Sequence, residues 1–260
     1  MGATSQLTVL PAAASPRSAL VMDRLQATRV LFAAPRALYL LGDDGRTVLS
    51  VVTADGLALP GAVRLALSST RFAWGVGQGE AVLVGAGSIQ LPQVRIEVRR
   101  VWRPARVDEP AVIGDHDSPA ALPTAPLWPD LVSPGEVSSS RVAALVGAGP
   151  GLTPAGDDAL CGALLMARAL GHPAQAALAR LVQAATAHPG ATTALSAALL
   201  ADAAAGYGLA PVVALVDALA RGDVRSATSA VGAVAAIGHT SGLALLAGIF
   251  GTYSVLAQPC

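Results

Sequence analysis

Two adjacent carboxylates, Asp157 and Asp158, close the most unusual stretch of this chain, residues 147–158, which reads GAGPGLTPAGDD. Four glycines and two prolines in twelve residues do not build a core. They shape backbone that must approach something closely. Gly149, Gly151 and Gly156 free the backbone to present N–H groups to an anion at a helix N-terminus, and Thr153 adds a hydroxyl donor. Successive residues on a helix point roughly 100° apart, so at most one of the two aspartates faces the same ligand directly. The other takes a second group: a metal-bound water or a backbone N–H. Asp157, Asp158 and the Thr153 hydroxyl are hard oxygen ligands of the kind that suits Mg2+. A tight joint between two helices, with acidic residues complementing the second helix dipole, would use the same residues without a ligand.

Two further clusters repeat this chemistry. Residues 238–242 read GHTSG, where a helix stops at Gly238 and Thr240 or Ser241 caps the next. Histidine is the side-chain type suited to proton transfer near neutrality, which makes His239 a candidate proton carrier. A histidine donating to a nearby helix end is the structural alternative. Residues 191–196, ATTALS, place the hydroxyls of Thr193 and Ser196 at another helix start, where simple capping by Thr192 or Thr193 accounts for them equally well. No Gly-Lys-Ser/Thr follows the first loop, which excludes a P-loop. The loop follows a helix rather than a strand, which excludes a dinucleotide fingerprint.

Taken in order, GxGPGLTPxGDD, TTxLS and GHTSG resemble the AllH-like subunit of the bacterial oxamate carbamoyltransferase, a family long described only as a domain of unknown function. The resemblance covers residues 133–250. It implies a subunit of an enzyme of purine or allantoin catabolism, assembled with two other subunit types. The implied reaction converts oxalurate and phosphate to oxamate and carbamoyl phosphate. On that reading the backbone of residues 149–153 holds a phosphate or carboxylate, and Asp157 or Asp158 orients a substrate amide or a metal-bound water. His239 carries a proton, while Thr240 and Ser241 stabilise an oxyanion. No lysine occurs in these motifs, so neutralisation falls to backbone dipoles, Arg141 or a metal. At Ala155 the family often has serine, and one hydroxyl ligand is therefore missing here. Two other readings of the same residues are a metal-dependent enzyme on a phosphorylated or carboxylated small molecule, and a non-catalytic scaffold or regulatory subunit.

The elements that must hold these loops are helices. Starts and stops predict helices over 134–146, 154–170, 173–187, 191–205, 210–220, 223–237 and 241–256. The first begins on a capping box, with Ser133 as N-cap and Glu136 at the third position, and Thr153 caps the second. Before them lies a β-rich stretch. Strands are predicted at 37–41 and 47–52 as a hairpin, at 62–67, at 81–84 and 88–91 as a second hairpin, and at 94–99. Short, regularly spaced strands suggest a barrel or sandwich. Seven prolines between 104 and 134 mark a connector, in which His116 lies between Asp115 and Asp117. A metal site and a solvated loop both fit that histidine. The expected organisation is α+β: a β-rich domain over 1–103, a connector over 104–132 and a helical domain over 133–260.

Composition narrows the partners. Seventeen basic and seventeen acidic residues balance to zero, against the basic excess of a nucleic-acid surface. Charged residues are only 13% and hydrophobic ones 53%, which favours burial in subunit contacts with other subunits or with copies of itself. Cys161 and Cys260 form no disulfide framework, in keeping with a reducing cytoplasm, and Cys161 reads as a small core residue. The N-terminus lacks the pattern of a signal peptide. The apolar stretch 242–257 is short for a membrane span, so a soluble, cytoplasmic protein that binds a small anionic substrate is expected.

Overall fold

The computed structural model describes residues 8–107, 132–133 and 136–257. The chain is α+β and forms two compact units, Met1–Pro104 and Ala105–Cys260. Most of the proline-rich stretch, including His116 and its flanking aspartates, lies outside the described residues.

The first unit is a closed barrel of eight strands: β1 (Thr8–Ala14), β2 (Gln26–Ala34), β3 (Ala37–Leu41), β4 (Val48–Val52), β5 (Ala62–Leu65), β6 (Ala81–Gly85), β7 (Ser88–Gln90) and β8 (Val94–Val101), with one helical turn, α1 (Ala19–Met22). Around the barrel the order is β1-β5-β4-β3-β2-β6-β7-β8, and β8 closes onto β1 in parallel. Alternation creates the strands: Leu38 and Leu40 of β3 are fully buried while their neighbours are half-exposed. Together with Leu49, Val51, Val63, Ile89 and Ile96 they fill the barrel. Both predicted hairpins form, β3–β4 and β6–β7. Closure settles the choice between barrel and sandwich by removing every strand edge. Two strands, β1 and β2, have no counterpart among the predicted ones. Pro11 and a run of three alanines disguise β1. At Pro11 the register has a partner only on the β8 side, so its missing N–H costs no bond to β5.

The second unit is built on α3 (Ala155–Leu170), of whose 16 residues 14 are buried. Around it lie α2 (Ser139–Leu145), α4 (Gln175–Thr186), α5 (Ala194–Ala204), α6 (Ala210–Ala220) and α8 (Ser241–Leu256), with α7 (Val224–Ala235) against α6 and α8. Six predicted helices are recovered, one of them, α5, starting three residues later than predicted, at Ala194. The first is corrected. Val132–Ser133 (β9) and Glu136–Val137 (β10) pair as a short antiparallel ladder, which holds Ser133 and Glu136 in extended backbone. The helix starts only at Ser139, with Ser138 as its N-cap. A capping-box pattern is local, and here a ladder and the burial of Val137 outweigh it.

Helix α3 crosses α8 at backbone contact distance. A Cβ on Gly248 would lie 1.8 Å from the Ala159 carbonyl oxygen, and one on Gly162 would lie 2.3 Å from that of Leu245. This contact brings the start of α8 beside the start of α3.

Candidate functional site

The candidate site is built where three helices begin. The loop before α3 carries Gly147, Gly149 and Gly151 at φ 74°, 119° and 96°, a left-handed run that only glycine enters without strain. Gly149 and Gly151 are exposed, whereas Gly156 is buried. The Gly156 N–H donates to the Ala148 carbonyl at 2.9 Å, and a Cβ there would meet the Leu145 carbonyl oxygen at 2.1 Å. Gly156 therefore seats the loop on α2 rather than presenting its N–H to a ligand.

Asp157 and Asp158 both lie in the first turn of α3 and both are buried, 1% and 6% exposed. Their surroundings differ. One Asp157 oxygen accepts the Gly147 N–H at 2.9 Å, and the other accepts a short hydrogen bond from the Thr192 hydroxyl. Asp157 thus ties the first loop to the second. Asp158 faces the third loop. Burial pushes its carboxyl up to about 6, with the Asp157 charge adding to the rise, while the hydroxyls of Ser241 and Thr153 pull it down. One Asp158 oxygen, Oδ2, is buried without a hydrogen-bond partner.

The hydroxyls complete the cluster. Thr153 does not cap α3. The N-cap is Pro154, and the Thr153 hydroxyl shares a hydrogen bond with that of Ser241 across 3.1 Å. A proline cap has no side chain to offer, and the Thr153 hydroxyl is taken up by the start of α8. Thr193 caps α5: its oxygen accepts the Ser196 N–H at 3.0 Å and donates to the Leu152 carbonyl at 2.5 Å. The Ser196 hydroxyl is buried without a partner. Thr240 is the N-cap of α8 without a side-chain cap bond. Thr240 and His239 are both exposed, and His239 stands two residues from Ser241 in the turn opened by Gly238 at φ 60°.

These bonds bring all three clusters together. Asp157, Asp158 and the loop before α3 are joined to Thr192 and Thr193 on one side and to Ser241 on the other. The starts of α3, α5 and α8 therefore meet at one place, each with first-turn N–H groups that favour negative charge. Two partners of this arrangement were not singled out from the sequence for these roles: the Gly147 N–H and the Thr192 hydroxyl. The doublet Thr192-Thr193 held the signal, since one threonine suffices to cap a helix. For a cation, Asp157 has both oxygens occupied by protein donors, and no group of three His, Cys, Asp or Glu suited to a metal occurs among the described residues. Cys161, one turn further along α3, is held as a neutral thiol far above its ordinary range by burial first and by the nearby carboxylates second.

Residues 145–253 match the family model of the oxamate carbamoyltransferase subunit AllH. The AllH match starts at the last residue of α2 and ends in α8, so it contains all three loops and every residue of the cluster. It bears out the resemblance carried by the three motifs, and it lies wholly in the helical unit. No curated protein and no solved structure matches the chain. Among the described residues no helix is long and apolar enough to cross a membrane.

Proposed function

We propose that the helical unit is the anion-binding part of an oxamate carbamoyltransferase-type enzyme subunit, with Asp158 as the group that moves a proton. The observation that carries this reading is the buried Asp158 carboxyl, shifted to about 6 and left with one unpartnered oxygen amid three helix starts. A carboxyl tuned toward neutrality can both accept and return a proton.

In the forward reaction a phosphate oxygen attacks the carbamoyl carbon of oxalurate. The carbon–nitrogen bond to the oxamate nitrogen breaks, and carbamoyl phosphate and oxamate result. The proton lost by hydrogen phosphate is the proton gained by the departing oxamate nitrogen, and Asp158 is suited to relay it. First-turn N–H groups of α5 and α8, the exposed backbone of Gly149 and Gly151, and the Thr240 hydroxyl supply donors for the substrate carboxylate and the developing oxyanion, while Ser241 stays engaged with Thr153 and Asp158. His239, exposed at the rim, is a second proton carrier. Asp157 acts as a positioning residue, since both its oxygens hold the loops. Ser196 and Thr193 hold the second loop beneath them. The description of the family as a subunit supports a hetero-oligomeric assembly, and a role in purine or allantoin catabolism goes with that reaction.

A non-catalytic assembly role is the second reading, favoured by the backbone contacts at Gly156, Gly162 and Gly248, which explain those glycines without a ligand. Calorimetric titration of the full chain with oxamate and with oxalurate separates the two. Binding to the wild type and at least about tenfold weaker binding to Asp158→Asn supports the enzymatic reading. No heat with either ligand, alone and with the partner subunits added, leaves the assembly role.

A further inference from the structure

The barrel unit carries a second candidate site, unconnected with the AllH match. A cavity of about 530 Å³ opens on the β5–β1–β8 face, a volume inside the usual small-ligand range of about 300–1,000 Å³. The register explains its shape. Ala13 of β1 pairs with Arg64 of β5 on one side and with Arg100 of β8 on the other. Ladder partners share a face, so the two guanidiniums flank a methyl group in one row. Ala12 and Ala14 point into the core, which puts this row on the outside of the barrel. The small side chain between two long ones leaves the gap.

A bulge adds a third cation. The β8 register jumps from Val98 to Arg100 while β1 advances by one residue, so Arg99 has no partner of its own. Such a bulge re-aims side chains, and here it lets the consecutive residues Arg99 and Arg100 both border the cavity. Trp102 forms a further wall. Its indole N–H donates to the Ala62 carbonyl at 2.9 Å, and the Arg64 guanidinium lies 5.1 Å from its ring centre. The carboxylate of Glu97 pairs with Arg99 and Arg95. Among the described residues no carboxylate pairs with Arg64 or Arg100. The remaining walls, Ala66 and Ala54 among them, are apolar.

We propose that this cavity binds an organic anion with a flat apolar body, such as an aryl phosphate or aryl carboxylate. Arg64 and Arg100 take the charged end in their planar forks, and the body lies along the alanine floor beside Trp102. The site acts independently of the helical cluster.

The test is calorimetric titration of the full chain with phenyl phosphate, with inorganic phosphate and phenol as comparisons. Saturable binding of phenyl phosphate that weakens as salt rises is expected. It should weaken at least about tenfold in Arg64→Ala and in Arg100→Ala, and remain in Asp158→Asn. Arg64→Lys and Arg100→Lys should lose part of the affinity, because they keep charge without the fork. Circular dichroism checks that each variant is folded. Absence of saturable binding, or equal binding by the arginine variants, overturns the proposal. Equal affinity for inorganic phosphate, or for phenol, that falls likewise in Arg64→Ala and Arg100→Ala overturns the pairing of charge with an apolar body. Loss in Asp158→Asn alone would assign the binding to the helical cluster and likewise overturn it.

Discussion

Asp157 and Asp158 are neighbours in sequence, identical in chemistry and different in role. The 100° step between them sends one to the loops before α3 and α5 and the other to the start of α8. The sequence reading that one of the pair would bind a backbone N–H is met by Asp157 and the Gly147 N–H. Which aspartate did so depended on which loop lay on which side of α3, and that is long-range information. The Asp158 shift leads to a pH prediction. Its carboxyl is raised from 3.8 to about 6 by folding, so the protonated form is favoured in the native state. That contribution is complete below about pH 3.8 and is lost as pH rises through about 6. Asp158→Asn removes the cost of the buried charge. Relative to the wild type, the variant should gain on the order of 1–2 kcal/mol between pH 5 and pH 8, after allowance for solvent screening of the shift. Urea unfolding at the two pH values measures it, and an unchanged difference between variant and wild type would refute the assignment.

At the scale of elements, local signals worked where a helix or strand carries its own punctuation. Helix α8 is found at the predicted 241–256, and β3 at the predicted 37–41. They failed where tertiary pairing overrode them. Ser133 and Glu136 were drawn into a ladder, and β1 is a strand because β5 and β8 flank it, despite Pro11. The glycines show the same division. Gly149 and Gly151 announce their left-handed backbone by standing beside proline in a loop. Gly162 and Gly248 sit inside helices, where nothing local asks for glycine. Their reason is the α3–α8 crossing, which leaves no room for a methyl group. Gly248→Ala should therefore cost about 2–3 kcal/mol, although alanine is the better helix former. Thermal denaturation would show the loss, and a stability equal to or above that of the wild type would mean the helices do not cross this closely. Because the same crossing sets Ser241 beside Thr153 and Asp158, the variant should also weaken oxamate binding.

On the scale of the whole molecule, the two units have separate hydrophobic clusters, one inside the barrel and one around α3, with no residue in common. Calorimetry of the full chain should resolve two transitions, and oxamate should raise only the one that Gly248→Ala lowers. A single sharp transition shifted as a unit would show that the clusters melt together. The α+β class, the run of strands before the run of helices and the three loop motifs with their family resemblance were all readable along the chain. They rest on periodicity, glycine and proline placement, and short-range spacing. The closure of the barrel, the meeting of the three loops, the unequal roles of the two aspartates and the arginine row across β5, β1 and β8 were not. Each depends on residues tens of positions apart becoming neighbours, and that is set by how strands register and helices pack.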